Sequence, residues 1–231
     1  MALKLRRAEE GDIPDIISFT SKTWEWGDYI PRVIGSWVRQ GRAYVVEAGG
    51  AIVAVAGLEL VGDSAYLQGL RVRPEYRGVG IGAWTTAAMA EEAKRLGARR
   101  ATLLVAEWNE PSIRAVAKAG FRRVWEVYGG VPDRRPPSRC LEGEEAADAV
   151  EEALRRTGGL ACMPDDPWIC TYASAEELLR RGRPCLGEAG LYVGKFSFGG
   201  GGIDAEGDAV AARPDGFRKL YGRYLLFARV L

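Results

Sequence analysis

The 231-residue sequence predicts a mixed α/β (α+β) fold, a mostly antiparallel sheet flanked by helices, followed by a smaller C-terminal α/β subdomain. Three observations predict it. Residues 43–72 hold three strand-like runs in succession, the first two joined by Gly49-Gly50. A glycine-rich loop then leads from strand to helix. Beyond it, strand and helix patterns alternate, and Ala101 to Ala106 is a continuous apolar run of the kind buried on both faces.

Taken in order, residues 12–24 read as a helix, with Asp12 as N-cap, Pro14 in the first turn and Ile13, Ile16, Ile17 and Phe19 on one apolar face. A second helix is expected from Tyr29 to Gln40, carrying Ile30, Val33, Ile34, Trp37 and Val38 and stopped by Gly41. Strands follow at Ala43–Glu47, Ala51–Ala56 and Ala65–Val72. An alanine-rich helix runs from Ala83 to Leu96, then come the strand Ala101–Ala106, a helix Pro111–Ala119 and a strand Phe121–Val127. The expected order is α, α, β, β, β, α, β, α, β.

Residues 1–130 are thus expected to form the main domain and 131–140, overlapping the proline- and arginine-rich stretch Gly129–Arg139, a linker. Residues 141–231 form the C-terminal subdomain: helices near Glu144–Arg156 and Ala175–Arg181, a strand Gly190–Val193, a mobile loop Gly199–Gly202 and a terminal strand within 223–231. That last strand either stays in the subdomain or returns to the first sheet, and the pattern does not choose.

Composition narrows the chemistry. With no histidine, a general base must be a carboxylate, a tyrosine, a cysteine or held water. A formal net charge of +1 gives no field to draw in nucleic acid or an anionic membrane. No apolar run reaches membrane-spanning length, and the N-terminus has no signal-peptide core, so a cytoplasmic protein is expected. Asn109 is the only asparagine and Gln40 and Gln68 the only glutamines, against abundant arginine, a bias common in proteins from hot environments. Cys140, Cys162, Cys170 and Cys185 match no zinc spacing, and no metal is expected. They read first as buried free thiols and second as one or two disulfides.

Arg77-Gly78-Val79-Gly80-Ile81-Gly82-Ala83 carries the clearest chemistry. Between a strand and a helix, its backbone N–H groups converge at the positive end of the helix dipole, and the glycines let phosphate oxygens approach. Arg77 either adds a charge-assisted contact or orders the loop. A ligand-free tight turn would not need three alternating glycines. Dinucleotide binding, which the G-x-G-x-x-A match also allows, wants an acidic residue about 20 positions on at the next strand's end. That region is Arg99-Arg100-Ala101-Thr102, and the antiparallel meander upstream also argues against it.

These residues resemble the GNAT N-acetyltransferase family. Arg77, Gly80 and Gly82 fit its [RQ]-x-x-G-x-[GA] signature; Leu70-Arg71-Val72-Arg73-Pro74-Glu75-Tyr76-Arg77-Gly78 resembles its flank; Asn109-Glu110-Pro111-Ser112 and Lys118-Ala119-Gly120-Phe121 resemble its downstream segments. The resemblance covers residues 3 to about 128. It implies a GNAT-like sheet, acetyl-CoA as cosubstrate and a V-shaped opening between two strands that admits the pantetheine arm. It also implies that Leu70, Arg71 and Val72 pair with that arm through their backbone, one N–H facing the thioester carbonyl. The diphosphate would sit on Arg77, Gly78, Val79, Gly80, Ile81, Gly82 and Ala83, with Asn109 and Ser112 beside the pantetheine; Asn109 also suits a helix cap. Gly27-Asp28-Tyr29-Ile30-Pro31 and Gln68-Gly69-Leu70-Arg71-Val72 are similar to the branch that includes histidine N-acetyltransferases. The implied acceptor is a free amino acid or small amine, with a protein N-terminus or peptide as the alternative. A homodimer is left open.

The family's usual catalytic groups are missing. The tyrosine that protonates the leaving thiolate falls at Val116, and a glutamate base used by some relatives falls at Leu104. The remaining candidates are Glu59, Glu107 and Glu25, with Asp28, Gln68 and Tyr128 behind them, each also readable as a surface or packing residue. Trp24 and Trp26, flanking Glu25, read as core packing or an acceptor wall. With no cysteine before Cys140, direct transfer in a ternary complex is expected over an acetyl-cysteine route. The inert residues at 104 and 116 keep a second reading open, a non-catalytic acyl-CoA-binding sensor or structural protein.

Overall fold

Strand pairing begins earlier than the sequence pattern indicates. In the computed structural model, which describes residues 2–23 and 27–231, Leu3–Arg7 forms β1, absent from the expected order. Its run Leu-Lys-Leu-Arg-Arg is too short and too charged to stand out, yet Leu5 pairs opposite Val46 and Arg6 forks onto Asp12 at 2.6 and 3.0 Å. Asp12 is the N-cap residue of α1 (Ile13–Thr20), shorter than the expected 12–24, but its carboxylate accepts from the Glu9 N–H at 2.8 Å and makes no side-chain cap to the helix. Residues 24–26 lie outside the described residues.

After α2 (Ile30–Arg39), β2 (Ala43–Ala48), β3 (Ala51–Val61) and β4 (Ser64–Val72) form the expected meander. α3 (Ile81–Arg95), β5 (Arg100–Ala106), α4 (Glu110–Lys118) and β6 (Arg122–Pro132) follow. Then come β7 (Arg139–Cys140), α5 (Gly143–Arg156), β8 (Leu160–Cys162), β9 (Cys170–Tyr172), α6 (Ala175–Arg181), β10 (Pro184–Gly187), β11 (Gly190–Val193), β12 (Phe196–Ser197), β13 (Ala209–Ala211) and β14 (Phe217–Val230).

Most of these strands share one sheet, in the order β1-β2-β3-β4-β5-β14-β6-β13-β12-β11-β10-β7, while β8 and β9 pair separately. β14 lies between β5 and β6, with Leu226 opposite Leu104 on one side and Trp125 on the other. Its apolar run Tyr224–Phe227 supplies the burial that this central place requires, with Leu226 fully buried. The β4–β5 pair is parallel and the meander antiparallel. α3 and α4 pack on one face through Met89, Ala90 and Val116. On the other face, α1 and α2 cover the meander, and α5 and α6 cover a second core that reaches Tyr66, Val127 and Leu226.

Three expectations for the second half change. The stretch read as linker starts later, because β6 continues to Pro132; Gly129 lies under the Trp168 ring and Gly130 against the Lys219 carbonyl, where no side chain fits. Gly199–Gly202 is packed rather than mobile. Those residues are buried, and a Cβ would strike the Ala189 carbonyl at Gly199, the Asp215 side chain at Gly200 and the Phe217 ring at Gly201. Glycine serves close approach there, a use that sequence does not distinguish from flexibility. The first reading of the cysteines as free thiols is also overturned: Cys140 pairs with Cys185 and Cys162 with Cys170. Among the described residues, no helix is long and apolar enough to cross a membrane.

Candidate functional site

The site begins where two strands part. β4 and β5 pair only at Ser64–Arg100, Ala65–Ala101 and Tyr66–Thr102. Beyond Tyr66, β4 runs on to Val72 and β5 to Ala106 without meeting, which leaves the facing backbone edges unpaired in a V-shaped fork. A bulge shapes the β4 side. Val55 lies opposite Arg71 and Gly57 opposite Gln68, so two residues, Gly69 and Leu70, answer one. Gly69 is required twice over, since its φ is +63° and a Cβ would press on Ile30 and Trp37 at 2.8 Å.

A cavity of about 850 Å³ threads this fork. On the α3/α4 side its walls include Thr85, Met89, Asn109, Ser112 and Val116. On the opposite side they include Arg42, Glu59, Tyr66, Asp166 and Trp168. Side-chain alternation along β5 makes the passage: Leu103 and Val105 pack toward α3 and α4, and Leu104 toward the second-half core.

The glycine loop lies past the open end of β4. Gly78 and Gly80 have φ of +82° and +92°, and a Cβ on either would meet nothing within 4 Å. Gly80 is the N-cap of α3, whose first turn holds no acidic residue, so the Ile81, Gly82 and Ala83 amides are free of intrahelical partners at the positive end of the dipole. Arg77 orders the turn, donating from Nε to the Val72 carbonyl at 3.0 Å, while Val79 projects outward, 72% exposed. Farther along α3, the Thr85 hydroxyl is buried with no hydrogen-bond partner and lines the cavity. Sequence reading missed Thr85, which looks like any small residue on a helix. Asn109 caps α4, accepting from the Ser112 N–H at 3.3 Å, and also lines the cavity. Open glycines, unpaired amides, a free strand edge and an orphan hydroxyl in sequence fit a long ligand with a diphosphate at one end and amide groups along an arm.

The catalytic candidates separate clearly. Glu59 lines the cavity on the side away from α3. Burial pushes its carboxyl above the ordinary carboxylate value; its ion-pair partner Arg42 and the more distant Arg181 oppose the rise, and Asp166 and Asp165 add to it. Glu107 is instead ion-paired with Arg223, which holds it below its ordinary value, and it is not among the cavity-lining residues. Glu25 lies outside the described residues. Asp28 lines the cavity but is already bound: Arg71 grips both its oxygens at 2.6 and 3.1 Å, and the Ile30 N–H donates to it at 3.1 Å. Burial raises its carboxyl, but Arg71 and the Thr23 hydroxyl outweigh this and leave it low. Gln68 lines the cavity; the Tyr128 hydroxyl turns to Glu126 at 3.3 Å. Val116 and Leu104 are both in the wall as apolar surface.

The second half supplies residues that sequence reading did not find. Asp166, Trp168, Asp208, Tyr221 and Tyr224 all line the cavity. Trp168 organises the group, donating its backbone N–H to Asp166 at 3.2 Å and its indole N–H to Asp208 at 3.4 Å, with its ring edge-on to Tyr224 at 4.9 Å. No local motif marks these positions, because β14 brings them together from segments far apart in the chain.

Residues 13–121 match the model of the Acetyltransferase (GNAT) family. A 68-residue stretch is 35% identical to thialysine N-epsilon-acetyltransferase of Sus scrofa, covering 29% of this chain and 40% of that protein, so the chain spans well under two thirds of this curated relative. The structure of a candidate acetyltransferase from Thermoplasma acidophilum superposes with a TM-score of 0.58 at 20% identity, over 99% of this chain and 100% of that one. That likeness extends the shared fold to the second half. The Escherichia coli ribosomal-protein-S18-alanine N-acetyltransferase gives a TM-score of 0.46 at 21% identity, over 54% of this chain and 81% of its own.

Proposed function

We propose that the chain, whose residues 13–121 match the GNAT acetyltransferase family, moves an acetyl group from acetyl-CoA to a primary amine, by direct transfer in a ternary complex. The observation that carries this reading is the through-sheet cavity, with a diphosphate-sized nest beyond one end and ionisable side chains at the other. When bound, acetyl-CoA supplies an activated thioester. Gly78–Ala83 hold its diphosphate, the Leu70–Val72 edge pairs with its arm, and the Thr85 hydroxyl and Asn109 contact that arm.

The N–H of Leu70, on the bulge, stabilises the negative charge that develops on the thioester oxygen. The amine nitrogen attacks the carbonyl carbon, the C–S bond breaks, and the thiolate leaves on coenzyme A. Glu59, raised by burial, takes the amine's proton. Val116 and Leu104 keep the reacting carbon dry. All four cysteines are in disulfides, which supports direct transfer over an acetyl-cysteine intermediate. The acceptor is a free amino acid or small amine, or alternatively a peptide N-terminus.

A thiol-release assay with acetyl-CoA against monoamines, diamines, amino acids and peptides tests the reading. Turnover with an amine upholds it. Coenzyme A binding without thiol release for any acceptor would favour the sensor reading, which the apolar residues at 104 and 116 motivate.

A further inference from the structure

We infer that residues from the second half build a subsite for a second ammonium group, so that the acceptor is a small diamine or polyamine rather than a monoamine. This rests on the acetyl-transfer reading above for the fate of the first amine. Its own evidence is the chemistry of the cavity wall opposite α3.

Asp166 and Asp208 line that wall, and among the described residues neither lies within ion-pair distance of a lysine or arginine. Two of the cavity's three arginines are committed to other carboxylates, and the third, Arg32, lines the cavity without an ion pair to Asp166 or Asp208. Arg42 pairs with Glu59 and Arg71 with Asp28, while Arg32 stands on the exposed edge of α2. Asp166 accepts only a backbone N–H, from Trp168, and feels Lys195 and Arg42 at longer range. Asp208 accepts from the Tyr221 hydroxyl at 2.9 Å and from the Trp168 indole, neutral donors that fix its direction without cancelling its charge.

The rings beside these carboxylates suit the same ligand. Trp168 and Tyr224 share the wall, while the Tyr221 ring already carries the Lys219 ammonium 5.6 Å from its centroid; an alkylammonium is attracted both to a carboxylate and to an aromatic face. Tyr66, only 4% exposed, sits at the fork's vertex and lines the cavity within the field of Asp166, its hydroxyl turned to the Leu104 backbone. A carboxylate-bearing or apolar tail would leave two negative charges without a cation in this wall. An ammonium tail answers them, and the alkyl chain between the two amines lies along the rings.

Calorimetry on the coenzyme A-loaded protein, titrated with 1,4-diaminobutane and with 1-aminobutane, tests the subsite without requiring turnover. The diamine should bind at least about tenfold more tightly. D166N and D208N should each cut that advantage several-fold while coenzyme A affinity, measured on the same preparations, stays unchanged. Equal affinity for the two amines, or an advantage that survives in both variants, overturns the inference. Thiol release separates it from the reading beneath it: diamine preference without release keeps the subsite and sinks acetyl transfer, and release without preference does the reverse.

Discussion

The Thr102 hydroxyl donates to the Cys170 carbonyl at 3.1 Å, tying the last paired residue of the fork on β5 to the base of the loop that carries Asp166 and Trp168. Both residues are fully buried. The Cys162–Cys170 disulfide closes that loop, and the Met163 N–H donates to the Ile169 carbonyl inside it at 2.8 Å. The proposed acceptor wall is therefore anchored to β5, a strand of the fork.

Cutting this anchor should affect the acceptor and not coenzyme A. Cys162→Ser with Cys170→Ser removes a short covalent loop, and the chain-entropy account expects a loss of about 2–3 kcal/mol. Denaturant unfolding should register that loss, and steady-state kinetics should show KM for the amine rising with the coenzyme A dissociation constant unchanged. A matching loss of coenzyme A affinity would mean that the loop supports the whole fork.

The open glycine turn was legible in sequence because glycine spacing, the strand before it and the helix after it are contiguous in the chain. The fork itself was foreseen only through family resemblance, since the end of β4–β5 pairing depends on a bulge at Gly69 and on which strand takes the far side of β5. The acceptor wall was not legible. Asp166, Asp208 and Tyr224 come from separate segments and share no periodicity; they meet because the 162–170 loop is tied to β5, β13 pairs with β6, and β14 lies between β5 and β6. Glu107 differs in another way, since it is not among the residues lining the cavity. The end of a buried strand placed it near the chemistry, but Arg223, brought in by β14, claims its charge.

Gly80→Glu tests the nest directly. The Cβ has open space, so packing is not disturbed, but φ of +92° is unfavourable for any other residue and costs about 1–2 kcal/mol. The carboxylate would also repel a diphosphate at the same amides. Calorimetry should show coenzyme A affinity falling at least about a hundredfold, with far-UV circular dichroism unchanged. Unaltered affinity would displace the diphosphate from this turn.

The Asp28–Arg71 pair is structural as well as cavity-lining. The Asp28 side chain is fully buried and Arg71 is 16% exposed, so Arg71→Ala leaves a carboxylate without its cation and should cost about 3 kcal/mol. Asp28→Asn combined with Arg71→Ala should cost less than the single change, because no charge remains to be orphaned. The pair's sign with pH follows from Asp28 lying below its unfolded value of 3.8. Its stabilisation is present above that value and fades as acid protonates the folded carboxylate. Urea unfolding of the three proteins near neutral pH checks the order.

Glu59 should set the acid limb of the reaction. Burial raises its carboxyl above 4.5, so the base form is lost on acidification at a pH above that of an ordinary glutamate. The kcat/KM profile should fall as pH drops through this raised value. Glu59→Gln should lower kcat by about 10²- to 10⁴-fold and flatten the limb, with coenzyme A affinity retained. Stability should respond in the opposite sense to Asp28. Ionising Glu59 is harder in the folded chain than in the unfolded one, so between 4.5 and its folded value its contribution to stability declines as pH rises. The same Glu59→Gln change, which leaves nothing to ionise at this position, should remove that slope. If the acid limb persists unchanged in Glu59→Gln while Asp166→Asn abolishes it, the proton leaves through Asp166, an exposed residue of the cavity wall whose carboxyl is also raised by desolvation there, and the two acids exchange roles.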